Sequence, residues 1–155
     1  MTGDYLMRNA DKEFLREKQM VAYSDHIQDL LILEQKYAAA AEFLKKTPEG
    51  PENKAPRASE LIGELDVAMN DVTQSKALVD IVGSDEAAAA AVTAIDSYGQ
   101  HKGSMQWLLA IVARGGIFQG SEEFEKFEKS ASEMREFGRD PFTKQVRRDL
   151  GVADP

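Results

Sequence analysis

The apolar positions in the first third of the chain recur at intervals of seven residues. Between Asp4 and Lys46 there is neither glycine nor proline, so no residue in this stretch interrupts a helix. From Met20 onward two registers run side by side, and Glu34 is their single polar member. This pattern predicts one long helix that packs in an antiparallel helical bundle. The registers are Met20, Ile27, Glu34 and Ala41 in one, and Tyr23, Leu30, Tyr37 and Leu44 in the other.

Downstream, apolar stripes separated by proline and glycine predict four more helices. Ser84 has the position of an N-cap for the third helix, and Asp140-Pro141 those of an N-cap and first turn for the fifth. Gly99 and Gly103 lie inside the third helix, where their cost relative to alanine indicates a close helix contact or a bend. The predicted bounds are Pro56–Ser59 to Gly83, Asp85 to about Arg114, Ser121 to Gly138, and Asp140 to Gly151.

The most apolar stretch of the chain runs from Met105 to Ala113, with Gln106 as its one polar residue. A helix that is apolar nearly all round must be covered nearly all round. This run is shorter than the roughly 20 residues that a membrane span requires, so it is interpreted as the centre of a core. The fold class that follows is all-α, an up-and-down antiparallel four-helix bundle with a long first helix and a short extra C-terminal helix.

Charge and composition narrow the classes of function. The 155-residue chain has no cysteine, which excludes disulfides, thiolate metal sites and cysteine nucleophiles. Its net charge of -8 disfavours binding to nucleic acid phosphates and to anionic membrane surfaces. The charged first helix lacks the pattern of a secretory signal peptide. A targeting segment removed earlier would leave the compartment open, so the sequence assigns no localisation. A soluble chain peripheral to a membrane complex is one option.

The sequence contains no recognisable metal, cofactor or catalytic motif. The residues three positions before the two histidines are Tyr23 and Tyr98, so the Glu-x-x-His motif of di-iron bundles is missing. We therefore expect no metal, no cofactor and no enzymatic activity. Glu34 is the one acid on the bundle seam, and three interpretations stay open: a place at the bundle edge, a basic partner on another helix, or a functional acid with a raised pKa.

The lengths of the predicted helices do not match. At about 1.5 Å per residue the first helix extends ~60 Å and the next two only ~40 Å. Its leading residues should therefore project, which divides the chain into a docking arm (1–18), a bundle (19–138) and a C-terminal helix and tail (139–155). Both ends carry surplus apolar residues, which either pack on the bundle or bind a partner. These residues are Tyr5, Leu6, Met7, Phe14 and Leu15 in the arm, and Phe142, Val146 and Leu150 in the tail.

Two main hypotheses of function follow, from different classes. The leading one is a non-enzymatic subunit or adaptor that docks into a larger protein assembly through the arm and the C-terminal segment, one setting being an extrinsic subunit of a membrane protein complex. The alternative is a small-molecule-binding or sensory bundle. Its pocket would surround Trp107, which either fills a second interface or faces a partner. The pocket residues would be Tyr98, His101, Met105 and Trp107. An enzyme acting through Glu34 and His101 would require these two side chains to meet.

Overall fold

The described residues are all helical or in short turns. The computed structural model describes residues 2–46, 54–116 and 121–152, and no strand occurs among them. The helices are α1 (Thr2–Lys46), α2 (Lys54–Val82), α3 (Asp85–Ala113), α4 (Ser121–Phe137) and α5 (Arg139–Asp149). The predicted all-α class and the five predicted helices are confirmed, with α2 beginning slightly earlier than the sequence indicated.

Two of the predicted helix starts can be compared in detail. Ser84 is the N-cap of α3, and its hydroxyl oxygen accepts a hydrogen bond from the backbone N–H of Ala87. The predicted N-cap of α5 is wrong, because α5 begins at Arg139 and Asp140 lies in its first turn. Gly138 holds the capping position and has no side chain to make a capping bond. The acid at Asp140 still lies where the helix dipole favours a negative charge.

Four of the helices pack against each other in chain order. α1 packs on α2, α2 on α3, and α3 on α4. Near the end of α2, Gln19 Nε2 donates to the carbonyl oxygen of Val82 at 2.8 Å. Further along α1, Lys36 forms an ion pair with Glu64. Since residue numbers rise on one helix as they fall on the other, α1 and α2 run in opposite directions.

The core face of α1 follows only one of the two predicted registers. Tyr23, Leu30, Tyr37 and Leu44 are buried, as predicted. The second buried row is His26, Leu33 and Ala40, each one residue before its predicted counterpart. Of the first predicted register, Ile27 and Ala41 are partly buried against the core, Glu34 lies at its edge and Met20 is half exposed, so this register borders the core instead of lying in it. The row that is buried contains a histidine, so it does not stand out in the sequence as a continuous apolar repeat.

The apolar centre of α3 is covered on one side only. Met105, Leu108 and Leu109 are buried, whereas the side chain of Trp107 is 61% exposed. The predicted close contact at Gly99 and Gly103 is also wrong. A Cβ at Gly103 would meet no atom within 4 Å, and one at Gly99 would only touch the terminal methyl of Met69 at 4.0 Å. Gly103 is exposed, Gly99 is partly buried, and α3 continues unbroken through both positions.

The last layer of the fold is made of two helices. α4 packs on α3, and beyond Gly138 the chain continues as α5, which packs on both α3 and α1. α5 thus fills the space beside Tyr23 and His26, where Phe142 packs edge-on against both rings. Beside the C-terminal half of α1 the corresponding space is left as a groove.

Candidate functional site

A groove of about 720 Å³ lies between the C-terminal half of α1 and α4. Its floor consists of three ring-bearing side chains, Tyr37, His101 and Phe127, which are buried against one another. The His101 ring centroid lies 4.8 Å from that of Tyr37 and 5.1 Å from that of Phe127. Small apolar side chains and a methionine form its walls, and charged residues form its rim. The groove therefore combines an aromatic floor with a polar opening.

His101 presents a defined hydrogen-bonding pattern. Its Nδ1 lies 2.9 Å from the Ser130 hydroxyl oxygen, and that hydroxyl donates to the carbonyl oxygen of Phe127 at 2.9 Å. Because the serine proton is already engaged, Nδ1 must carry the hydrogen and Nε2 the lone pair. Burial, followed by the positive charge of Arg135, lowers the pKa of His101 to about 4. The ring is therefore a neutral hydrogen-bond acceptor near neutral pH.

Glu34 lies at the rim and is held by groups from two other helices. The Tyr98 hydroxyl donates to its Oε1, and Arg139 Nε lies 3.3 Å from each of its carboxylate oxygens. Burial, followed by the hydrogen bond to this carboxylate, raises the pKa of Tyr98, so the phenol keeps its proton. The Tyr37 hydroxyl donates to the backbone oxygen of Tyr98 at 2.7 Å. Of the three interpretations of Glu34, the structure shows a basic partner on another helix, which is an arginine of α5.

The four residues predicted to form a pocket do not surround one cavity. Tyr98 and His101 lie beside the groove, Tyr98 through its bond to Glu34 and His101 as part of the floor. Met105 is fully buried in the core of α3. Trp107 is 61% exposed and does not line the groove. Glu34 and His101 share the groove, but within the described part of the chain no hydrogen bond joins them.

A second histidine repeats the arrangement in a sealed form. His26 Nδ1 lies 2.8 Å from the Ser75 hydroxyl oxygen, and Ser75 donates to the carbonyl oxygen of Val72. Burial lowers the pKa of His26 to about 4. Its Nε2 is buried and finds no hydrogen-bond partner among the described residues, and Phe142 packs against its ring at a centroid distance of 5.0 Å. His26 is therefore closed off by α5, while His101 opens onto the groove.

Sequence reasoning missed the two serines, although the chain carries a signal for them. Tyr-x-x-His occurs on both α1 and α3, and Ser75 and Ser130 each stand eight residues before a glycine that follows α2 or α4. Those glycines are Gly83 and Gly138, and a Cβ on either would lie 3.2 Å from a ring carbon of the tyrosine in the same helix pair. The same four residue types recur in the α1–α2 pair and in the α3–α4 pair. This repeat indicates which serine bonds to each histidine.

The N-terminal part of α1 extends past its neighbour. Gln19 contacts Val82, the last residue of α2, and residues 10–18 before it are exposed at every position. Phe14 is 61% exposed and Leu15 46%. Of the described helices, none lies beside α1 on the α2 side over this stretch, and the end of α5 reaches it through Arg16, which donates to the carbonyl oxygen of Leu150 at 2.5 Å. The side chains of the other predicted arm residues, Tyr5, Leu6 and Met7, lie outside the described part of the chain.

The C-terminal residues predicted to bind a partner instead pack inside the molecule. Phe142 is fully buried, Val146 is 6% exposed and Leu150 is partly buried against the core. The end of α5 is fastened through Asp149, whose Oδ2 accepts hydrogen bonds from the Tyr23 hydroxyl at 2.8 Å and from a serine hydroxyl at 2.6 Å. These side chains are thus occupied by contacts within their own chain, because α5 completes the core beside α1.

The described residues form neither a metal site nor a membrane-spanning helix. Over residues 2–46, 54–116 and 121–152, no three His, Cys, Asp or Glu side chains gather as ligands for an ion. Within these ranges, no helix combines the length and apolar character of a membrane span. Comparisons with protein-family models, with curated proteins and with solved structures find no match to this chain. The fold therefore defines only a class, which is an all-α protein of packed helices.

Proposed function

We propose that this protein is a non-enzymatic helical-bundle subunit or adaptor that docks into a larger protein assembly through the N-terminal part of α1. One observation carries the proposal: α1 continues past the end of α2 as an exposed helix that displays Phe14 and Leu15. A solvated arm gains nothing from such side chains, and exposed apolar clusters mark binding surfaces. An extrinsic subunit of a membrane protein complex is one setting for such an assembly.

The spacing of apolar residues in the arm favours a helix as the partner. Met7, Ala10, Phe14 and Val21 follow one another at intervals of three, four and seven residues. This is the repeat of a helix that pairs with another helix. The flanking charges from Asp11 to Lys18 alternate in sign and sum to zero, as is common beside such seams. The occupant is accordingly an amphipathic helix of a partner protein.

The rest of the chain supports this role as a scaffold. We take α1 to α4 as an up-and-down antiparallel four-helix bundle, with the arm at residues 1–18, the bundle at 19–138 and a C-terminal unit at 139–155. In this proposal the C-terminal unit stabilises the scaffold instead of contacting the partner, because Phe142 and Val146 are already buried. The alternative of a pocket around Trp107 has weaker support, since that side chain is exposed and apart from His101.

The test uses two aromatic residues of equal exposure. Phe14 and Trp107 are each 61% exposed, so Phe14→Glu and Trp107→Glu are matched changes on different surfaces. The tagged protein is recovered from its native source with a photo-crosslinking residue at position 11. We expect one partner to be crosslinked in stoichiometric amount to the wild type and to Trp107→Glu. Deletion of residues 1–15 and Phe14→Glu should both abolish its recovery.

Two results would contradict the proposal. One is undiminished recovery of the partner by Phe14→Glu when circular dichroism shows a folded protein. The other is a concentration-dependent dimer of the wild type that Phe14→Glu dissociates, since the occupant of the arm would then be a second copy of this chain. Light scattering of the purified protein distinguishes these cases.

A further inference from the structure

The α1–α4 groove has the size and the layering of a small-molecule site. Its volume of about 720 Å³ lies within the roughly 300–1,000 Å³ that is typical of ligand pockets. The floor is aromatic, and Ala41, Ala131 and Met134 supply apolar walls that are only partly buried by their own neighbours. A flat apolar ring of a ligand would cover exposed apolar surface on both α1 and α4.

The floor offers one polar atom that the protein itself does not use. The His101 Nδ1–H is directed to Ser130, which leaves Nε2 with its lone pair. The equivalent atom of His26 is sealed in the core without a partner, whereas His101 lines the groove. A ligand that reaches the floor is therefore recognised by a hydrogen-bond donor, such as a hydroxyl group.

The rim carries charges of both signs, with Glu128 among its acids, and part of its positive charge is not held in an ion pair among the described residues. Arg139 forms an ion pair with Glu34, and its Nη1 lies 3.9 Å from the carboxylate of Asp140. Arg135 and Lys45 also line the groove, and among the described residues neither has an ion-pair partner. The positive charge of Arg135 contributes to the lowered pKa of His101. It therefore also acts on a ligand at the floor of the groove. An anionic group is the complement of this part of the rim.

We propose that the groove between α1 and α4 binds a small aromatic carboxylate that carries a hydroxyl group. The hydroxyl donates to His101 Nε2, the ring packs on Tyr37, Phe127 and Met134, and the carboxylate pairs with Arg135. This binding site is independent of the arm, and it requires no covalent or redox step.

The test uses three probes that differ by one group each. 4-Hydroxyphenylacetate carries all three features, phenylacetate lacks the hydroxyl, and tyramine replaces the carboxylate with an amine. Binding to the full chain is measured by calorimetry and by the perturbation of amide signals in isotope-labelled protein. We expect 4-hydroxyphenylacetate to bind with a Kd at or below the millimolar range and to perturb residues of the groove. Phenylacetate should bind at least about threefold more weakly because it leaves Nε2 without a donor, and tyramine should not bind.

Protein variants locate the site. Ala131→Phe fills the groove and should abolish binding, and Arg135→Gln should weaken it about tenfold because a charge-assisted contact is lost. Trp107→Ala changes an exposed side chain outside the groove lining and should leave the affinity unchanged. The melting temperature of each variant shows that it is folded.

Several outcomes would overturn the proposal. One is the absence of binding of 4-hydroxyphenylacetate up to about 10 mM, which would put the affinity below that of a weak specific site. Another is binding of tyramine with the same affinity. A third is binding that is unchanged in the Ala131→Phe variant. Formation of a dimer that Ala131→Phe dissociates would also overturn it, because a helix of another copy would then occupy the groove.

Discussion

The two buried histidines make the stability of this protein sensitive to acid. Burial lowers the pKa of His26 and of His101 to about 4 in the folded state, against about 6.5 in an unfolded chain. The unfolded state therefore binds more protons in this range, and the folded state loses stability as the pH falls from about 6.5 to 4. Above that window the contribution is fully present.

We expect each histidine to remove about 3 kcal/mol from the free energy of unfolding across this window. Urea unfolding at pH 7, 5.5 and 4 measures the change. Other acids also titrate there, so the decisive comparison is with a variant that lacks one histidine. A stability difference between the two proteins that does not vary with pH would show that the histidine is not buried in its neutral form.

That variant is the double change His26→Leu with Ser75→Ala. It replaces a hydrogen-bonded pair by apolar side chains and removes an Nε2 that is buried without a partner. We expect a gain of about 1–2 kcal/mol at pH 7, because leaving a buried polar group unsatisfied carries a penalty of that order. Ser75→Ala alone is the control, and it should destabilise by leaving Nδ1–H without an acceptor. Chemical unfolding of all three proteins gives the values, and a double variant less stable than the wild type would refute this account.

At the scale of the helices, the sequence predicted what depends on local pattern. Glycine and proline positions defined five helices, and the register of Tyr23, Leu30, Tyr37 and Leu44 was confirmed. The buried row lies one residue before the companion register. It contains His26, whose burial depends on a hydrogen bond to Ser75 in another helix. Phe137 follows Met134 of α4 by three residues, a spacing typical of a core face, but it is 45% exposed.

The groove could not be predicted for a related reason. Its width depends on α4 standing apart from α1, and the spacing of residues within either helix carries no information on that separation. The pocket was therefore placed around Trp107, the most conspicuous side chain of the apolar stretch. Tyr98 and His101 both lie beside the groove, but their partners Glu34, Arg139 and Ser130 come from other helices, and no spacing within α3 indicates them.

Two glycines with opposite surroundings test the helix packing. A Cβ at Gly103 meets nothing within 4 Å, while one at Gly138 lies 3.2 Å from the Tyr98 ring and also meets backbone at the end of α4. We expect Gly103→Ala to raise the free energy of unfolding by about 1 kcal/mol, the difference in helix propensity. Gly138→Ala should lower it by about 1–3 kcal/mol through overpacking. Thermal and urea unfolding check both changes, and equal effects would contradict the described turn between α4 and α5.

At the scale of the whole molecule, the two ends differ in packing although their sequences look alike. Both carry surplus apolar side chains, and among the described residues those of the C-terminal end fill a space in the core. α5 enters beside α1 and α3, and Asp149 fastens it to Tyr23 and to the N-cap of α3. The arm passes beyond α2, and among its described residues Arg16 donates a hydrogen bond to the carbonyl oxygen of Leu150 after α5, while Phe14 and Leu15 remain exposed. The apolar content of an end cannot distinguish a packed end from an exposed one, because the difference depends on which helices lie beside that end.

A matched pair of phenylalanines tests this difference directly. Phe142 is fully buried against Tyr23 and His26, so Phe142→Ala should lower the free energy of unfolding by about 3–5 kcal/mol. Phe14 is largely exposed, so Phe14→Ala should change it by less than about 0.5 kcal/mol. Both are measured by urea unfolding of the purified full chain at pH 7, above the titration of the histidines. A large loss in Phe14→Ala would mean that the arm packs on its own bundle, and the arm would then no longer be free to bind a partner.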